Sequence, residues 1–379
     1  MRTRLLTSGM VFAAGVAGFC IWASTPLLGQ AGQPPQGSTN RPAASGRAAL
    51  PRTADGHPDL QGVYDVATLT PLERPEQFGT TLSMPASQAE RLEQAVADRK
   101  DRLARPSDGN RAAPPIGGDG SVGAAGNVGG YNNFWIDNGE KYVEIDGQKR
   151  TSIIVDPTNG RVPPLLPAAQ KRNAARVVQT TSDEQEGNDP GLERAPGAYD
   201  DPERRPLGER CLMGFGSTSG PPSLPVLYNN LHQIVQTRDH VMILNEMVHD
   251  ARVIRLNDKQ HLPPTIRKWM GDSIGWWEGD TLVVDTTNFT DKTRFRGSSE
   301  NLHIVERFSR LDERRLLYRF TVEDPTTWAT SWTGEYTWPI TNERLYEYAC
   351  HEANYALGNI LRGARQRDRE AAAKRSANR

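Results

Sequence analysis

Gly279-Asp280 is the feature that most limits how this chain folds. The two residues separate the strand-like runs 273–278 and 281–288. Glycine first in a two-residue loop favours a type II′ turn, whose twist suits antiparallel strands on either side. The same grammar extends both ways. Runs 302–311, 316–323 and 332–340 follow, the first two joined by Asp312-Glu313-Arg314-Arg315, and runs 231–237, 241–247 and 250–256 precede. About eight strands spaced by turn signals are the pattern of a barrel or a sandwich. The expected fold is mainly β, a closed antiparallel barrel with added helices and long loops. A two-sheet sandwich is the alternative.

The chain ends read differently. Arg2 and Arg4 precede a mostly apolar run, 10–28, and Gly29-Gln30-Ala31 supplies small residues at the usual cleavage offsets. Residues 1–31 are therefore expected to be an export signal. An uncleaved anchor is the alternative, since the run is close to spanning length. Residues 32–50 form a flexible Gly/Pro/Ser/Gln-rich leader. Residues 51–350 make one β-rich domain, and 351–379 a C-terminal helix with a basic tail. That tail holds Arg362, Arg365, Arg367, Arg369, Lys374, Arg375 and Arg379. The whole chain has 45 basic and 46 acidic residues. Such a balance gives no reason to expect nucleic acid, which wants a strong basic field. Removal of the signal leaves Cys211 and Cys350. In an oxidising compartment only one intramolecular pairing is open to them, and a disulfide is the expectation, with two separate buried thiols as the alternative.

Between the ends, 85–103 reads as a helix capped by Ser83, with Leu92, Ala95, Val96, Arg99 and Leu103 on one face. Residues 114–130 are Gly-rich and cannot pack a core. They contain a literal G-x-G-x-x-G, 118–123, but no strand precedes it and no helix follows, so it is not a dinucleotide site. Asp146-Gly147 joins runs 141–145 and 148–155 in a hairpin. Residues 166–177 read as a second helix. Residues 180–225 form a long polar loop that carries Cys211.

Gly62-Val63-Tyr64 resembles the Gly-x-Trp that opens the first strand of lipocalin-like barrels, with Tyr in place of Trp. Longer stretches resemble a family of secreted bacterial proteins whose activity is uncharacterised. They are Arg210-Cys211-Leu212-Met213-Gly214, the block from Gly275-Trp276-Trp277-Glu278-Gly279-Asp280 through Glu306-Arg307-Phe308, and Tyr346-Glu347-Tyr348-Ala349-Cys350-His351-Glu352. Pro51 through Gly62 resembles the family's start. The resemblance implies export and carries no activity with it.

Chemistry must then be read from residues. There is no G-x-S-x-G elbow, Walker loop or EF-hand loop. His351-Glu352 begins like a zincin helix but lacks the second His. The remaining histidines show no paired spacing, so no metal site is expected. Period two in 302–311 places Glu306 on an apolar face with Leu302, Ile304 and Phe308, and Arg307 on the other. A carboxylate there is paired, hydrogen-bonded or protonated, and burial raises its pKa, which is how a general acid is made. The cluster Glu246, His249 and Arg252 interrupts apolar strands. Glu246 and Arg252 share a face, with His249 on the other, if the strand runs on; a bulge or turn at 247–249 is the alternative and would bring His249 beside Glu246. Histidine suits proton transfer near neutral pH. Trp332, Tyr336 and Trp338 alternate onto one face, as do Tyr318 and Phe320 next to them, forming either core or an aromatic ligand platform.

The sequence thus leads to an exported, periplasmic or secreted barrel with an acid–base pocket and no redox cofactor. The expected activity is that of a lyase, isomerase or hydrolase acting on a glycan or small organic molecule. Glu306 and His249 would move protons, and Arg307 or Arg252 would hold an anionic group. A binding protein for a small aromatic or glycan ligand is the second reading. The third is a structural cell-envelope protein with a filled barrel. Stable membrane insertion after signal cleavage is not expected.

Overall fold

The structure is a computed structural model that describes residues 50–104, 110, 112, 136–181, 199–214, 219–352 and 354–377. The export segment, nearly all of the leader, and the Gly-rich stretch with its G-x-G-x-x-G lie outside the described residues. In chain order the elements are β1 (Gly62–Asp65), β2 (Ser83–Met84), α1 (Ala86–Ala104), β3 (Glu144–Ile145), β4 (Gln148–Arg150), β5 (Ile154–Asp156) and α2 (Pro167–Thr181). Then come β6 (Leu231–Gln236), β7 (His240–Asn245), β8 (Ala251–Arg255), β9 (Asp272–Glu278), β10 (Thr281–Thr287), β11 (His303–Arg310), β12 (Arg315–Glu323), β13 (Trp332–Thr341) and α3 (Tyr355–Ala377).

Nine strands close into a barrel in the order β1, β6 to β13, and back to β1. Closure comes from β1, which pairs with β6 through Tyr64↔His232 and with β13 through Tyr64↔Ile340. A sandwich is thereby excluded. The sheet is mixed, not wholly antiparallel: β8 and β9 run parallel, with Ile254 opposite Ser273. Parallel neighbours need a long crossover, and residues 256–271 supply it. The hairpin at Gly279-Asp280 forms as expected, with Gly279 at φ +59°. Asp146 and Gly147, at φ +52° and +73°, turn β3 into β4. Outside the barrel, β2, β4 and β3 form a small sheet, while β5 adds to β13.

Alternation of side chains fills the lumen. Ile304, Glu306 and Phe308 of β11, Tyr318 and Phe320 of β12, and Trp332, Tyr336 and Trp338 of β13 all point inward and are buried. Both ends are closed by chain. At one, Leu60 is fully buried, its N–H bonded to Gln236 Oε1 (3.0 Å), and Arg310 Nε donates to the Asp59 carbonyl (2.7 Å). At the other, segment 219–224 is buried throughout. The Ser223 N–H donates to the Tyr318 hydroxyl (3.0 Å), and the Tyr336 hydroxyl donates to the Ser223 carbonyl (2.8 Å). A disulfide between Cys211 and Cys350, Cα atoms 5.8 Å apart, ties the chain leading into that segment to the end of the domain.

Two sequence expectations about α1 need correction. Ser83 belongs to β2 and does not cap the helix; the first intrahelical bonds run from the Gln88 and Ala89 N–H groups to the Pro85 carbonyl. The inward face is Ala89 and Glu93 rather than Leu92, which is exposed. Glu93 is tolerated there because the Tyr142 N–H (3.0 Å), Lys141 and Lys149 neutralise it. The charged cleft between α1 and residues 140–141 is small, about 260 Å³, below the range of most ligand pockets.

Candidate functional site

Glu306 enters the lumen from the middle of β11, as the alternation of its strand requires. Its carboxylate meets the Arg252 guanidinium from β8 through two hydrogen bonds, Nη1 to Oε2 and Nη2 to Oε1, the latter 3.0 Å. The Tyr318 hydroxyl donates a third, to Oε1 at 2.8 Å. Glu306 is 0 % exposed and Arg252 4 %. Burial pulls the guanidinium pKa down, but the Glu306 charge outweighs it and the net shift is upward. Burial and the adjacent carboxylate push the Tyr318 phenol well above its ordinary value. The group is a closed, charge-assisted triad in low dielectric, bidentate and satisfied.

Trp332, Tyr336, Trp338 and Tyr318 are core. Their rings pack on one another and on Phe308 and Phe320, with Tyr318–Trp338 centroids 4.8 Å apart and Tyr318–Tyr336 5.6 Å apart in a T-shape. No ligand platform is left on that side of the strands. His232, opposite Asn245 in register, also points inward. Burial lowers its pKa to about 4, so the ring is neutral, with Nδ1 donating to the Leu231 carbonyl (3.0 Å).

The other predicted residues are dispersed. A tight turn at 247–249 does break the strand, with Val248 and His249 at φ +72° and +50°. A β-branched residue pays a steric cost there. The turn does not deliver His249 to the lumen. His249 is exposed, its Nδ1 donating to the Tyr348 carbonyl (2.9 Å), and no hydrogen bond or ion pair joins it to Glu306. Glu246 is buried but spent on backbone, accepting from the Tyr346 N–H (3.0 Å) and the Leu231 N–H (3.3 Å). Arg307 lies on the outer face, paired with Glu278 at 2.7 Å and half exposed. Only Arg252 and Tyr318 join Glu306.

Sequence reasoning missed a second cluster, on the outer face of the same strands. His303 of β11 reaches Glu323 through Nδ1 (3.1 Å) and Asp285 of β10 through Nε2 (3.0 Å). His261, from the 256–271 crossover, reaches the other Asp285 oxygen through Nε2 (2.9 Å) and Asp272 through Nδ1 (3.2 Å). The result is an unbroken chain of carboxylate, imidazole, carboxylate, imidazole, carboxylate. His303, with a carboxylate at each ring nitrogen, donates to both when it is protonated. The hydrogen bond His303 donates to Asp285 leads the causes that raise its pKa. Burial works against ionised Asp285, yet His303 and His261 outweigh it and hold the carboxyl below its usual range. Asp272, buried, is likewise held low against the cost of burial by the Leu262 N–H, His261, Arg255 and Lys268. Period two does place Asp285 and His303 on one outer face; nothing in the sequence predicts where a crossover loop will set His261.

Among the described residues no group of three or more His, Cys, Asp or Glu side chains is disposed to hold a metal ion. No described helix is long and apolar enough to cross a membrane. In comparisons with known proteins, no family model, curated protein or solved structure matches this chain.

Proposed function

We propose that the protein is a structural component of an extracytoplasmic compartment, a cell-envelope or secreted protein whose barrel serves as a rigid body. The observation that carries this reading is the saturated Glu306 carboxylate inside a lumen closed at both ends. A general acid needs access to substrate, and a binding barrel needs an unfilled mouth. The Cys211–Cys350 disulfide supports an oxidising location, and the Arg2/Arg4 and 10–28 pattern supports export. N-terminal sequencing of the exported protein should begin near Gly32. Thermal-shift screening of glycans and plant phenolics should give no saturable stabilisation. A saturable ligand whose effect disappears in a lumen variant overturns the reading.

A second reading rests on the outer His303–Asp285–His261 chain, which joins partly exposed acid–base groups. Under it, proton transfer to a glycan or small organic molecule occurs on the outside of the barrel. Asp285→Asn would then lower turnover by roughly a hundredfold or more, with the fold kept. A turnover unchanged by Asp285→Asn and His303→Gln removes this reading.

A further inference from the structure

The C-terminal helix has two unlike halves. Asn354 fixes its start: Oδ1 accepts from the Leu357 N–H (3.3 Å), and Nδ2 donates to the Glu209 carbonyl (2.6 Å) and lies 3.4 Å from Cys211 Sγ. Leu361 and Ala364 are buried on the domain. From 365 to 377 nothing is buried, and all but Asp368 are exposed. This free half carries Arg365, Arg367, Arg369, Lys374 and Arg375 against Asp368 and Glu370. A positive end thus projects from a chain whose total charge is −1. At 100° per residue, Arg362, Arg365 and Arg369 line one flank of the helix, and Arg367 and Lys374 line the other. At the root of the helix, Tyr355 is 75 % exposed.

We propose that this helix docks the protein on the surface of an anionic phospholipid bilayer. Charge complementarity selects an anionic partner. Clustered Lys and Arg are attracted to such a surface, and tyrosine favours the headgroup level. The disulfide beside the helix root belongs to an oxidising compartment, which argues for lipid over nucleic acid. The helix lies on the surface and does not span it, since no described helix is apolar enough to cross.

Co-sedimentation of the full chain with vesicles tests it. Vesicles of equimolar phosphatidylcholine and phosphatidylglycerol should bind about tenfold or more better than phosphatidylcholine alone, with binding weakened by added salt. A variant with Arg365, Arg367, Arg369, Lys374 and Arg375 all changed to Gln should lose that difference and keep the barrel's melting temperature. Equal binding to both vesicles, an unaffected Gln variant, or binding to nucleic acid and not to vesicles overturns the proposal.

Discussion

The inner and outer faces of β11 place ionisable side chains in opposite situations. Inside, Glu306 is fully buried and held by fixed partners in one arrangement. Outside, three residues up the strand, His303 shares protons with carboxylates that solvent reaches. A buried pair is held by the cost of separating it, because a single charge left in low dielectric is far worse than two together. A surface chain is held by protonation and is weakened by screening. The same eight residues of strand therefore supply a permanent lock on one side and a pH-dependent one on the other.

The largest break in this contrast comes from Arg252→Met. It strands the Glu306 charge in the lumen and should cost about 3–5 kcal/mol, read by urea denaturation. Next, Cys211→Ser with Cys350→Ser opens a loop spanning 139 positions. The expected loss is about 2–4 kcal/mol, and a fall in the denaturation midpoint checks it.

Outside, His303 sharpens the comparison through pH. Its folded pKa is raised, so its contribution is complete below the unfolded imidazole value and disappears as pH rises through the folded value. His303→Gln should remove that slope, at a cost of about 1 kcal/mol on the acid side. A wild-type midpoint that rises over this window contradicts the assignment. The smallest effect belongs to Arg307→Gln, which breaks an exposed pair with Glu278 and should change stability by about 0.2–1 kcal/mol.

Much of the inner face was legible in the sequence. Period two puts Glu306 among Leu302, Ile304 and Phe308 whatever the rest of the barrel does, and the tight Gly279-Asp280 turn fixes the register of β9 on β10. The partner was harder. Arg252 is inward only because the turn at 247–249 resets the alternation after Asn245, and the sequence leaves an unbroken strand equally open there. The parallel β8–β9 pair was illegible for a related reason. A crossover with no periodicity of its own does not state which edge it returns to, so His261 could not be placed. Alternation puts the aromatic side chains of β13 on one face, but it does not tell a lined cavity from a packed core. Segment 219–224, which decides between them, looks in sequence like ordinary loop.

A double-mutant cycle on Glu306→Gln and Arg252→Met addresses the central claim most directly. Glutamine keeps an acceptor for the Tyr318 hydroxyl while removing the charge. If the triad is a structural lock, each single variant loses several kcal/mol and the double variant is more stable than either, because no unpaired charge remains. If the two losses simply add, or if Glu306→Gln alone leaves stability unchanged, the carboxylate is not locked to Arg252 and the account of the lumen fails.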